Sequence, residues 1–235
     1  MDATYRIQSN SGTVDPAATS FTATLPNATQ DSSTLMLWIG MNTGTVNLPA
    51  VDPPWYVDVS ASSKLWVMRR DNQPSGESSW TLSSAFSVRW AWYVEEWASW
   101  STINQPDATA SQIISHVGTQ ANSVSPVGTA PSADIPDFAG LAVFNATGGA
   151  GVGIFPARSY SAGWSEVNVT TIGTGTAGTD HQLIVAETYP GVTGSIDCTL
   201  TWDTSNGGTY TDKRVDTWSA CYRPSVPVSF GVLTA

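Results

Sequence analysis

The sequence predicts an all-β chain: an antiparallel two-sheet β-sandwich, with about ten strands and little or no helix. Three observations carry that prediction. Short apolar or alternating runs recur from end to end between Gly, Pro, Asn and Ser clusters, and helical periodicity is almost absent. Only 12% of the residues are charged; Ser, Thr, Gly, Asn and Asp supply most of the polarity, which suits strands and turns better than surface helices. The stretch 80–100, WTLSSAFSVRWAWYVEEWASW, holds five of the 11 Trp and reads from Ala85 onward as one long strand.

In chain order, residues 1–18 read as an N-terminal arm, and 19–25 (TSFTATL) alternates as a strand does. Residues 34–41 (TLMLWIGM) are apolar on both parities, like a strand covered on both faces. Residues 64–70 (KLWVMRR) follow a loop studded with Pro49, Pro53 and Pro54. In the Trp-rich strand, Phe86, Val88, Trp90, Trp92, Val94 and Glu96 share the parity expected to face a core. Ser87, Arg89, Ala91, Tyr93, Glu95 and Trp97 share the other, expected on a half-wetted surface. Residues 98–137, rich in Ser, Thr, Ala and Pro, with one short apolar patch at Ile113-Ile114, read as a long crossover loop. Strands at 140–145, 164–172, 181–188, 195–203, 215–222 and 226–232 complete a single domain over 1–235.

Charge narrows the partners. The net charge is −10, from 9 Lys+Arg against 19 Asp+Glu, and the densest cationic spot is Arg69-Arg70. Phosphate neutralisation needs clustered cations, so no nucleic-acid partner is expected, nor an anionic membrane. No run approaches the ~18 apolar residues of a membrane span. The first residues, MDATYRIQSNSG, lack a basic stretch followed by an apolar one, so synthesis in a cytoplasm without a signal peptide is expected.

Few residues form a chemical constellation. Cys198 and Cys221, on neighbouring candidate strands, are a possible disulfide, but two buried apolar thiols are the favoured reading. Glu95-Glu96 is the one adjacent carboxylate pair in an aromatic setting. Neighbours on a strand point to opposite faces, so a glycosidase pair would need a second acid such as Glu166, Asp197 or Glu187 from another strand. The plainer reading has Glu95 solvated and Glu96 marking the strand's exit from the core. His116 and His181 lack metal-ligand spacing, and no metal or other cofactor is expected. Asn27, Asn145 and Asn168 head N-x-T triplets that read as coincidence in a Thr-rich chain. Trp97 and Trp100, at the end of the long strand, and Trp55-Tyr56 in the Pro-rich loop are the candidates for stacking on a sugar or meeting a protein partner.

The order of strand signatures resembles bacteriophage virion proteins, especially those of phages of actinobacteria, which are built as jelly-roll or concanavalin-like sandwiches. The resemblance lies in Ser79-Trp80-Thr81-Leu82-Ser83-Ser84 leading into an aromatic strand from Trp90 to Glu96-Trp97. An apolar strand (141–144), Gly163-Trp164, a Leu-Ile-Val-Ala run (183–186), a T-x-T-W strand (199–202) and Tyr222-Arg223-Pro224 follow. Ala98-Ser99 departs from the small Ser-Gly pair of that pattern. The resemblance transfers no catalytic residue. It implies a non-enzymatic structural protein of the virion, a capsid decoration or tail component assembled in the host cytoplasm, with other virion proteins and copies of itself as partners. A carbohydrate-binding module for host glycans is the alternative, and a glycoside hydrolase is third.

Overall fold

The computed structural model describes residues 6–42, 45–48, 51, 54–61, 64–98, 108–115, 123–124, 139–147, 158–173, 181–188, 198–202 and 214–222. Thirteen strands lie among them, no helix does, and every pairing is antiparallel. The first sheet uses β1 (Arg6–Thr24), β2 (Ser33–Met41), β3 (Tyr56–Ala61), β4 (Leu65–Gln73) and β5 (Ser79–Trp97), in the order β1-β5-β2-β4-β3. The chain then passes to a second sheet. With β6 (Ala108–Ser115), β7 (Ser123–Val124), β8 (Ala139–Thr147), β9 (Arg158–Tyr160), β10 (Ser165–Ile172), β11 (His181–Thr188), β12 (Leu200–Trp202) and β13 (Arg214–Tyr222), its order is β10-β11-β8-β13-β6. A small third sheet, β7-β12-β9, lies beyond it. The expected all-β sandwich is what forms.

Both faces of the first sheet are buried, for different reasons. Odd-numbered residues of the β5 end (Ala91, Tyr93, Trp97) meet the second sheet, together with Met36, Trp38, Val67, Leu141, Val143, Leu183, Val185 and Trp218. Even-numbered residues Trp90, Trp92 and Val94 pack with Leu35, Leu37, Ile39 and Met68 on the opposite face. That face is covered by the β1–β5 ribbon folding back over itself. Fourteen residues of straight strand would separate Asn10 from Thr24 by about 46 Å, yet Asn10 Nδ2 donates to the Thr24 carbonyl at 2.9 Å. Register shifts between Val14 and Ser20 make the bend. It brings Phe21 to 4.8 Å from Trp90 and 6.2 Å from Trp92, centroid to centroid. Gly12, opposite Trp92 in the ladder, leaves room for that indole: a Cβ there would meet Trp92 Cζ2 at 2.6 Å.

Several expectations are corrected here. Residues 6–18 are paired strand, not an arm, because β5 is long enough to hold them. Phe86 sits at the outside of the bend and is 67% exposed rather than in the core. The half-wetted face expected for Ala91, Tyr93, Glu95 and Trp97 is buried by the second sheet. The crossover expected over 98–137 contains β6, paired along its length with β13, and β7. The expected strand 226–232 lies outside the described residues, and β3 and β9 went unforeseen.

A polar stitch joins the sheets at one end. Asn145 Nδ2 donates to the carbonyls of Met41 (3.1 Å) and Lys64 (2.9 Å). Gly40 lies against this amide, where a Cβ would stand 2.4 Å from Asn145 Oδ1. Asn145 is fully buried, so its N-x-T triplet is no surface acceptor.

Candidate functional site

The register lays one row of residues across the first sheet at its other end. Ser9 of β1 stands opposite Glu95 of β5, Glu95 opposite Met36 of β2, Met36 opposite Arg69 of β4, and Arg69 opposite Tyr56 of β3. Directly opposed side chains share a face, and Met36 belongs to the layer between the sheets. The row therefore lines the mouth of that layer, with one ionic cluster at each end.

At the β1 end, Arg6 Nη1 lies 3.3 Å from Glu95 Oε1 and 3.2 Å from Glu187 Oε2, so one guanidinium bridges carboxylates of the two sheets. Tyr93 Oη donates to Glu95 Oε1 at 2.5 Å, and Trp97 Nε1 to Oε2 at 2.9 Å. These contacts follow from strand parity: Tyr93, Glu95 and Trp97 are alternate residues of one strand. Glu95 is wholly buried and Glu187 nearly so, while the Arg6 side chain keeps 27% exposure. Desolvation pushes the Glu95 carboxyl up to about 7; Tyr93 opposes the shift, Glu187 adds to it, and Arg6 and Trp97 oppose it. Desolvation also raises Glu187 against the pull of Arg6. Burial disfavours the charge on Arg6, but the two carboxylates outweigh it and raise its pKa.

At the β3 end, Arg69 Nε lies 3.3 Å from Asp58 Oδ2 and Nη1 pairs with Asp71. Its guanidinium carbon sits 5.4 Å from the Tyr56 ring centroid, a cation–π contact. Tyr56 is 48% exposed and Val57, on the other face of the same outer strand, 43%.

Three other acids, Glu96, Glu77 and Glu166, serve the scaffold. Glu96 points away from Glu95, accepting from Gln8 Nε2 and from the Gln30 amide, both at 2.6 Å, which ties β1 to the β1–β2 turn. Glu77 accepts from Arg70 (2.5 Å), Trp80 Nε1 (2.8 Å) and Gln73 (2.9 Å), and the Arg70 bond first of all lowers its pKa. Glu166 is held bidentately by Arg158 at 2.5 and 2.8 Å.

The sequence candidates fall as follows. Trp97 is fully buried, its ring between the sheets and its N–H on Glu95, so it offers no face to a ligand. Trp55 is buried against Trp80, edge to face with centroids 6.2 Å apart. Trp100 lies outside the described residues. Tyr56 alone of the four is on the surface among the described residues. Glu95, expected to be solvated, is wholly buried, and Glu187 of the second sheet is the second acid that joins it. The space between these two carboxyls is taken by the Arg6 guanidinium, so the arrangement is an ion bridge rather than a cleft for a glycosidic bond.

Cys198 is a free, buried thiol in the apolar layer under the third sheet, which corrects the possible Cys198–Cys221 disulfide. β12, which follows Cys198, pairs with β7 and β9, whereas Cys221 lies on β13 between β8 and β6. Burial pushes the Cys198 thiol's pKa up. His181 is buried on β11, and His116 lies outside the described residues.

Sequence reasoning missed Arg6 and Arg69. The signal for Arg69 was its parity with Val67 on a strand bordering the core. Nothing in the polar run around Arg6 pointed inward. No protein family, curated protein or solved structure matches this chain.

Proposed function

We propose that this chain is a structural component of a larger particle, a capsid decoration or tail protein of a virion, that works through protein–protein contacts. The observation that carries the reading is the outer strand β3. It ends the first sheet among the described residues, and it presents Tyr56 and Val57 to solvent. An outer strand with exposed apolar side chains is a ready partner for another chain, and Tyr is enriched at interface centres. Arg69, fixed by Asp58 and Asp71, holds the Tyr56 ring without further ordering on contact. The virion assignment rests on the strand signatures of the sequence.

The test is co-sedimentation of the purified chain with particles, comparing wild type with a Tyr56→Glu/Val57→Lys variant. Binding that the double substitution abolishes supports the reading; a monomer that never sediments with particles refutes it.

One observation favours a second reading, the glycan-binding module. The Tyr56 ring is half exposed beside two carboxylates and a guanidinium, groups that suit sugar hydroxyls. A glycan array answers it: signal lost in Tyr56→Ala selects the sugar, and no signal removes this alternative.

A further inference from the structure

We propose that Arg6, Glu95 and Glu187 form a protonation-operated latch that fastens the first strand across the mouth of the two sheets. The geometry is specific to that job. The three groups come from β1, β5 and β11, hence from both sheets, and one guanidinium nitrogen touches both acids. With both acids ionised, a single cation faces two enclosed carboxylates, so the cluster carries an uncompensated negative charge out of reach of water. One proton on Glu95 makes it neutral.

The surrounding groups admit that proton. From β5 come Tyr93 and Trp97; from β1, Arg6 and Ser9; from β11, Glu187; from β2, the apolar Met36. The one charge on β10, Glu166, is turned to Arg158, and Arg69 of the same row is engaged by Asp58 and Asp71. Ionised Glu95 accepts from Tyr93, Trp97 and Arg6. When Glu95 is protonated at Oε1, its O–H donates to Tyr93 Oη, and the Tyr93 hydroxyl turns to Ser9, the β1 residue whose side chain already interacts with it. Trp97 keeps its bond to Oε2, and Arg6 is left wholly to Glu187. Protonation thus leaves Arg6 and Glu187 as one neutral pair and keeps a Ser9–Tyr93 bond, so the closed mouth holds no net charge. Deprotonation leaves the closed mouth with a buried carboxylate charge that one guanidinium does not cancel; opening the start of β1 lets water reach it, so the strand loosens.

The experiment pairs a carbon-13 NMR titration of the Glu side-chain carboxyls with hydrogen exchange of the β1 amides between pH 6 and 8.5, corrected for intrinsic exchange chemistry. The expected result is a Glu95 midpoint near 7, with protection around residues 6–10 falling about tenfold or more across that range. Glu187→Gln frees Arg6 for Glu95 and lowers the midpoint. Glu95→Gln makes the protection independent of pH. A Glu95 carboxyl that titrates with the ordinary glutamates overturns the latch even where the Gln variant fails to fold, and so does a wild-type β1 whose protection does not change with pH.

Discussion

Replacing Gly40 by Ala tests the stitch that joins the sheets at the end away from the latch. The new Cβ would stand 2.4 Å from Asn145 Oδ1 and 3.0 Å from its Cγ, so the amide must move. Moving it breaks the Nδ2 bonds to the Met41 and Lys64 carbonyls. Each such bond contributes about 1 kcal/mol net, and more where a carbonyl is left buried. Against that, Gly→Ala returns about 0.4–1 kcal/mol by restricting the unfolded chain. The net expectation is a loss of about 2–4 kcal/mol. The diagnostic is a double-mutant cycle with Asn145→Ala, read by urea unfolding. Once the amide is gone, the nearest remaining neighbour of the new methyl is Leu183 Cβ at 3.3 Å, and Gly40→Ala then costs under about 1 kcal/mol. A coupling of about 2–3 kcal/mol is predicted. If the two substitutions are additive within about 0.5 kcal/mol, the stitch does not exist as described.

Other expectations follow from burial and charge. Glu77→Ala takes the carboxylate from the fully buried Arg70 and destabilises by about 2 kcal/mol, whereas Glu166→Ala, at a partly exposed pair, costs under about 1 kcal/mol in the same urea assay. Cys198 resists alkylation in the native protein and reacts on unfolding, which peptide mass spectrometry reads directly; rapid native labelling would contradict its burial. The folded pKa of Glu95 lies above its ordinary 4.5, so its contribution is fully present below pH 4.5 and is lost as pH rises through 7, a change of about 3 kcal/mol. Glu77 and Glu166 act oppositely: their lowered values give stability present above 4.5 and lost as pH falls through the folded pKa. The melting temperature should peak in mildly acid solution, and a steady rise up to pH 8.5 would contradict this.

The interior strands were legible because each buries at least one complete face. Residues 34–41 announced burial on both faces through an unbroken apolar run, and β2 is buried throughout. The same signal was present from Trp90 to Trp97, where aromatic or apolar residues fill both parities. Reading that stretch as one-sided left Trp97 outside when it belongs between the sheets. β1 was obscured because its first half is polar and pairs with residues 76–91 positions later in the chain, from Val14↔Trp90 to Arg6↔Trp97. β6, an outer strand of Ala, Thr and Ser, carries little apolar periodicity for the same reason. The parity argument for Glu95 and Glu96 was sound, since they do point apart. The partner of Glu95 was hidden because Arg6 and Glu187 are 89 and 92 residues from it on either side, and only sheet packing brings them together.

In the proposed role, the outer strand β3 is the surface through which this chain meets its assembly. The most direct measurement is hydrogen exchange of the free chain against the particle-bound chain. Protection gained on binding should concentrate in Tyr56–Ala61. Bound chain whose β3 amides exchange as fast as in the free protein, with protection gained elsewhere, would contradict it.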